Sequence, residues 1–230
     1  QMCIRDRLSD INNYSVLIPN KKGFLDAKNF GVKEICTVLC VTDSMNLKNI
    51  NQPVDQTIKN LKDIFRESHE SNINSKCYVS VAFHCPYEGS VDASYVEDVV
   101  GILLDYQVKE IVIADTIGAA NPKEVTSLLS ALTNTHKEAK FSCHFHDTNA
   151  LGLANVYASI ESGINKFDSC IGGLGGCPFA PNSSGNLATE DLVGMLEMMN
   201  INTGINLDRL LSAREVAVKL TGLSLKGRMF

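Results

Sequence analysis

Residues 108–147, VKEIVIADTIGAANPKEVTSLLSALTNTHKEAKFSCHFHD, hold two strand-like runs separated by a helical pattern. The first run, VKEIVIADT (108–116), is apolar and β-branched, and it is too short for a helix. NPKEVTSLLSALTNTH then opens as a helix should. Asn121 is placed to cap, Pro122 takes the first helical position, and Glu124 stands where it completes a capping box. AKFSCHFHD (139–147) is a second strand pattern. Two strands joined through a helix form a parallel βαβ unit, because a helical crossover returns the chain to the same end of the sheet.

The unit recurs in both directions. Upstream, YSVLIP (14–19) precedes KKGFLDAKNFG, whose closing Gly31 suits the position just after a helix. KEICTVLCVTD (33–43) leads through a longer loop to a helix near 53–70, with Pro53 in its first turn, and KCYVSVAFHCP (76–86) is followed by a helix near 92–106. Downstream come a helix near 150–162, a sixth strand with a glycine-rich exit in NKFDSCIGGLGG (165–176), and helices near 187–199 and 206–220. Six strands alternating with helices predict an α/β protein with a helix-covered parallel sheet. An open doubly wound sheet holds six strands, whereas a (β/α)8 TIM barrel needs about eight units in ~250 residues.

The chain start tips the choice. QMCIRDR (1–7) resembles the conceptual translation of a transposase-end adapter used in sequencing libraries, so it is read as a cloning or assembly scar outside the fold. The expectation is therefore an incomplete TIM barrel, with its first two βα units missing, six present and C-terminal helices following. Residues 8–230 form one partial barrel domain in this reading.

Composition narrows the function classes. In 230 residues, 44% hydrophobic and 20% charged, there is material for a substantial core. A net charge of -5 leaves no basic footprint for nucleic acid. No apolar run approaches the ~18–20 residues of a membrane span, and no signal-peptide pattern opens the chain. The eight cysteines sit mostly inside strand-like runs rather than in a loop-rich disulfide layout, and read as reduced thiols. A cytoplasmic location follows, or the mitochondrial matrix if the source is eukaryotic.

Polar residues gather where the strands end: Thr42 and Asp43, His84 and Cys85, Asp115 and Thr116, His144 and His146, then Gly172 to Cys177. In a barrel those ends form one mouth, where barrel enzymes do their chemistry. Within SCHFHD (142–147), a strand period of two puts Ser142, His144 and His146 on one face and Phe141, Cys143 and Phe145 on the other. Two imidazoles on one wall suit a divalent metal. They equally suit a pair of core histidines satisfied by backbone groups, because two ligands alone do not define a site.

GGLGGCPFAPNSSGNLATEDLVGML (172–196), together with HFHDT (144–148), IADTIG (113–118) and CPYEG (85–89), strongly resembles the 3-hydroxy-3-methylglutaryl-CoA lyase family. That family belongs to a metal-dependent (β/α)8 superfamily, which also includes isopropylmalate-type synthases and the carboxyltransferase domain of pyruvate carboxylase. Those synthases usually read HNDLG after the paired histidines, whereas this chain reads HDTNALG. The resemblance implies metal ligands at His144, His146 and Asn186, with Mg²⁺ or Mn²⁺ as the cofactor. It implies a fourth ligand, an Asp in an RDG motif on the first strand. The RDR at 5–7 imitates that motif but has no strand before it, so the chain is expected to lack the ligand and to be inactive as this fragment.

The implied reaction cleaves 3-hydroxy-3-methylglutaryl-CoA to acetyl-CoA and acetoacetate, a step of leucine-degradation and ketone-body chemistry. The expected catalytic groups are Cys177, Asp115 and His144. Cys177 follows a glycine run suited to a mobile lid, and a thiol with a pKa near 8.5 stays protonated at neutral pH, ready to deliver a proton to the enolate carbon. The same loop also reads as a phosphate cradle for the CoA tail. Asp115, on the face of Ile111 and Ile113, is expected to point into the mouth; its plainer reading is an acid serving the next helix. Gly173, Gly175, Gly176, Glu190 and His84 complete the expected substrate loop and supporting shell. His84 departs from the glycine usual before the CPYEG cysteine and leaves the acyl group open.

Three functional readings stand at this point. The first is the lyase acting on an acyl-CoA, with no nucleic-acid or membrane partner and with room for a homo-oligomer. The second is a lyase for another 3-hydroxyacyl-CoA or an isopropylmalate-synthase-like Claisen enzyme. The third, of another class, is an inactive CoA-binding fragment.

Overall fold

The computed structural model describes residues 14–179, 185–225 and 227–229, so the expectations for residues 1–7 lie outside the described residues. Six strands pair in parallel in the order in which the chain makes them: β1 (Ser15–Leu17), β2 (Glu34–Cys40), β3 (Asn74–Ser80), β6 (Glu110–Asp115), β7 (Phe141–Phe145) and β8 (Phe167–Asp168). A separate antiparallel hairpin, β4 (His84–Cys85) and β5 (Gly89–Ser90), rises beyond the end of β3. The helices are α1 (Lys21–Asn29), α2 (Asp43–Ile50), α3 (Val54–Glu70), α4 (Ala93–Asp105), α5 (Pro122–Thr135), α6 (Gly152–Glu161), α7 (Thr189–Met198) and α8 (Leu207–Thr221).

Sequential parallel order is the barrel arrangement, and one hydrogen bond shows that the sheet curls. Tyr78 on β3 donates its hydroxyl to Asp168 Oδ2 on β8 over 2.6 Å, with β6 and β7 lying between. Three strand spacings in a flat sheet would part those backbones by about 14 Å. Only a curved sheet brings the two side chains together across its concave face. The fold is an incomplete TIM barrel of six βα units among the described residues.

The outer face carries the core. Ile35, Leu39, Val79, Ile111, Ile113, Cys143 and Phe145 are buried against Phe24, Phe65, Leu103, Leu129 and Val156 of the helices. Local signals set the helix limits. Asn121 Oδ1 accepts from the Lys123 and Glu124 amides while the Glu124 carboxylate accepts from the Asn121 amide at 3.0 Å, closing the capping box. Gly31 takes φ +72° after the C-cap Phe30, a left-handed turn that favours glycine.

Three expectations needed correction. The segment after β2 is not a loop, because α2 fills it. Its buried Asn46 accepts from the Cys40 amide and donates to Gln52 O and Thr57 Oγ1, so side-chain hydrogen bonds hold the helix where apolar periodicity is weak. The run 76–86 is not one strand, since β3 begins at Asn74 and breaks at Val81 (φ +53°), whose amide donates to Thr116 Oγ1. The sixth strand is two residues long. Beyond it a 3-10 turn (Ile171–Gly173) takes over, with Gly172 and Gly173 at positive φ.

Candidate active site

Strand β7 aims the histidines. Its register sets His144 beside Ala114 on one side and Asp168 on the other, so His144 shares the concave face with Asp168 and Tyr78. His146 lies one residue past the strand, where it forms an antiparallel bridge with Asn186. Flanking hydrogen bonds, Leu187 N to Phe145 O and Asp147 N to Gly185 O, both 3.2 Å, zip residues 185–187 along 145–147. This is how a residue forty positions away in the chain arrives beside the histidine pair. The structure thus brings His144, His146 and Asn186 together at the C-terminal ends of the strands.

The donors are oriented individually. The two imidazoles stand 5.3 Å apart between ring centroids, with planes at 55°. His144 Nδ1 lies 3.3 Å from Asp168 Oδ2, and that carboxylate also accepts from Tyr78. Burial pushes the Asp168 carboxyl up, but the hydrogen bonds from His144 and Tyr78 outweigh it and hold the pKa below the ordinary value. His146 is buried, and burial, aided by the charge of His144, pulls its pKa down to about 4. It is therefore a neutral imidazole at physiological pH, the form that binds metals. Asn186 donates Nδ2 to Leu174 O at 2.7 Å, which turns its carbonyl oxygen the other way.

Two glycines make room for that amide. Gly173 (φ +67°) would place a Cβ 2.7 Å from Asn186 O, and Gly175 (φ +93°) would place one 2.9 Å from Asn186 Nδ2. Side chains there would collide with the Asn186 segment. Gly176 is exposed, and the half-buried Cys177 packs on the core from the same loop. Burial raises the pKa of the Cys40 thiol to about 11, against the hydrogen bond from Asn49, and Cys177 and Cys85 add to the rise. Tyr87 of the β4–β5 hairpin donates its hydroxyl to Phe179 O, tying CPYEG to the end of the glycine loop.

The supporting residues divide. Glu190 is fully buried and takes the Gly172 amide on both carboxylate oxygens, at 3.1 and 2.9 Å, with Arg214 Nη1 at 3.6 Å. It anchors the turn from which the glycine loop departs. His84 Nε2 lies 3.2 and 3.3 Å from the two oxygens of Glu124, joining the hairpin to the start of α5. Asp115 does not point as expected. It shares a face with Ile111 and Ile113, but that face looks toward the helices. Its carboxylate accepts from the Ala119 and Ala120 amides at 3.1 and 3.0 Å, and burial raises its pKa. Strand parity was right, but which parity looks inward depends on register with β7.

Asp168 and Tyr78 were not singled out in the sequence. Each lies inside a strand run with no motif around it, and a carboxylate within NKFDSC was the one available signal. Among the described residues, no three of His, Cys, Asp and Glu cluster as metal ligands. The residues that the fold brings together, two histidines and an asparagine, have the donor chemistry of a divalent cation that prefers nitrogen and oxygen over thiolate. Seven cysteines are free thiols among the described residues, and no described helix is long and apolar enough to cross a membrane.

A curled parallel sheet with histidine and asparagine side chains gathered at its C-terminal rim defines a class, the TIM-barrel enzymes whose sites lie on that face. Comparison with known proteins narrows it. The HMGL-like family model matches residues 4–217. The hydroxymethylglutaryl-CoA lyase YngG of Bacillus subtilis is 39% identical over 94% of this chain and 72% of its own length. The human mitochondrial hydroxymethylglutaryl-CoA lyase is 40% identical over 87% of this chain, but the chain spans only 62% of that relative. The structure of an Acinetobacter baumannii HMG-CoA lyase in complex with coenzyme A and 3-methylmalate superposes with a TM-score of 0.90 at 36% identity, covering 94% of this chain and 70% of that one. The chain belongs to the HMGL-like family of carbon–carbon lyases, which is in general metal-dependent.

Proposed function

We propose that this chain carries the site of a hydroxymethylglutaryl-CoA lyase, cleaving 3-hydroxy-3-methylglutaryl-CoA to acetyl-CoA and acetoacetate. The observation that carries the reading is the convergence of His144, His146 and Asn186 beneath a glycine loop that bears Cys177. These three residues would hold Mg²⁺ or Mn²⁺, which when bound supplies Lewis acidity and a template for the substrate oxygens. Asn186 offers its carbonyl oxygen because its nitrogen is engaged by Leu174. His144 serves as a ligand rather than as a mobile base, since one of its nitrogens is already taken by Asp168. As the tertiary hydroxyl gives up its proton to solvent and its carbon becomes a ketone, the carbon–carbon bond breaks. Cys177 delivers a proton to the enolate carbon and its thiolate is reprotonated from solvent, while Glu190 and Tyr87 hold the two ends of the loop that carries it. Asp115 stays outside this assignment because its carboxylate is occupied by backbone amides.

An acyl-CoA substrate is supported by the relative bound to coenzyme A. Reduced thiols support the cytoplasm or, since several relatives are mitochondrial, the matrix if the source is eukaryotic. Exposed Val216 and Leu220 on α8 suit a homo-oligomer contact. The test is acetoacetate release from 3-hydroxy-3-methylglutaryl-CoA with Mg²⁺ or Mn²⁺, alongside other 3-hydroxyacyl-CoA esters. Cys177→Ala is expected to lose about 10²–10⁴-fold in turnover while keeping Mn²⁺ affinity. His146→Ala weakens Mn²⁺ binding itself. Equal Mn²⁺ affinity in both variants would overturn the roles, and CoA binding without any cleavage would favour an inactive binding protein.

A further inference from the structure

We propose that Asp168 and Tyr78 are positioning residues that lock the His144 ring in the Nδ1–H tautomer, leaving Nε2 to face the cation. The inference rests on the reading of His144 as a ligand and adds two residues to it. An ionised carboxylate only accepts hydrogen bonds, so the 3.3 Å contact between His144 Nδ1 and Asp168 Oδ2 requires the proton on Nδ1. In a neutral imidazole the lone pair then lies on Nε2. Asp168 is itself held, because the same oxygen accepts from Tyr78 at 2.6 Å. The Tyr78 ring also meets His144 edge to face, centroids 5.9 Å apart at 81°, which opposes rotation of the imidazole.

The three residues come from β3, β7 and β8, so the ring angle of one metal ligand is set by the curl of the whole sheet. His146 has a different support. Its main chain is fixed by the Asn186 bridge and by the bond from its amide to Asp115 O. The two histidines of one motif are thus held by separate devices, and the device on His144 reaches across the concave face.

The test uses the whole chain with ¹⁵N-labelled histidine, read by NMR above about pH 8, where ordinary imidazoles carry one proton. His144 is expected to show a protonated Nδ1 and a bare Nε2 before any metal is added. Mn²⁺ affinity, from the EPR signal of free Mn²⁺, is expected to fall about 10–100-fold in Asp168→Ala, and less in Tyr78→Phe. Asp168→Ala leaves the Tyr78 hydroxyl without its acceptor, so Tyr78→Phe/Asp168→Ala serves as the variant without that burden. Its melting curve reports folding, and its His144 spectrum should lose the tautomer bias. A merely structural role would lower the melting point without moving the tautomer. An Nε2–H tautomer in the wild type would overturn the proposal, as would a folded double variant with Mn²⁺ affinity within about twofold of wild type. If the wild type binds no Mn²⁺, the ligand reading fails, and the tautomer still decides the positioning claim.

Discussion

At the N-terminal ends of the strands, Lys76 Nζ sits 3.4 Å from Glu34 and 3.5 Å from Glu110, and Lys166 Nζ sits 2.6 Å from the other Glu110 oxygen. Ser142 donates to Glu110 as well, and Ser15 to Glu34. At the C-terminal ends of the same concave face stand His144, His146 and Asn186, two imidazoles and an amide, with His146 held neutral by burial. The floor is a ladder of two carboxylates and two ammonium groups whose charges cancel. The mouth gathers imidazole and amide groups that suit an incoming cation. One sheet thus closes one end of its interior with ion pairs and leaves chemistry to the other, the division of labour expected of barrel strands.

The largest break in this comparison comes at the floor. Lys76→Met removes the central cation and leaves Glu34 and Glu110 facing each other in a buried setting. Removing one partner of a buried pair costs about 3–5 kcal/mol, and Lys166 keeps this case near the lower bound. Urea unfolding should show that loss, while Mn²⁺ affinity in the folded fraction stays at the wild-type value. A large change in Mn²⁺ affinity would show that floor and mouth are not separable.

The same ladder sets the pH window. Burial pushes the Glu110 carboxyl up, but Lys166, Ser142 and Lys76 outweigh it, so its folded pKa lies below the ordinary 4.5. A carboxylate with a lowered pKa contributes stability above that ordinary value and loses it as pH falls through the folded one. Lys76 is the mirror case. Burial pushes its pKa down, Glu110 and Glu34 more than restore it, and its folded pKa lies above 10.5. Its contribution is present below 10.5 and is lost as pH rises beyond the folded value. Lys76→Met should remove the alkaline limb of the stability profile, and an unchanged limb would assign it to another group.

A smaller effect on stability, with a clearer effect on function, is expected at the mouth. Gly175→Ala forces a side chain into φ +93° and against Asn186 Nδ2 at 2.9 Å. Strain of this kind costs about 1–3 kcal/mol, and here it falls on a rim loop rather than on the sheet. Displacing the Asn186 amide should weaken Mn²⁺ by about tenfold or more. Calorimetry against Mn²⁺ titration separates the two effects, and a variant with normal Mn²⁺ affinity would remove Asn186 from the ligand set.

The sequence made the two ends unequally legible. Repeating strand and helix patterns were enough for six units and a parallel sheet, and the period of two in SCHFHD put His144 and His146 on one face. The floor ladder escaped, since Glu34, Lys76 and Glu110 come from three strands and only register aligns them. Register also decided Asp115, where parity within β6 was read correctly and its direction was not. Asp168 and Tyr78 were invisible for the same reason, because their partnership exists only after the sheet has curled. Helix α2 was missed on other grounds: its hold on the fold is the polar side chain of Asn46, which hydropathy patterns do not register.

The smallest expected effect sharpens the boundary of the mouth. Asn121 caps α5 and, through the capping box, sets Glu124, which in turn meets His84. Asn121→Ala removes the cap and should cost about 1 kcal/mol. If the His84–Glu124 contact belongs to the scaffold, Mn²⁺ affinity and the choice among acyl-CoA esters stay at wild-type values while the melting point drops slightly. If the contact shapes the acyl pocket, loosening Glu124 frees the His84 imidazole and the ester preference shifts alongside the same slight drop in melting point. The first outcome draws the functional border at Cys85 and the glycine loop. The second moves it out to the start of α5, where this chain carries a histidine before its CPYEG cysteine.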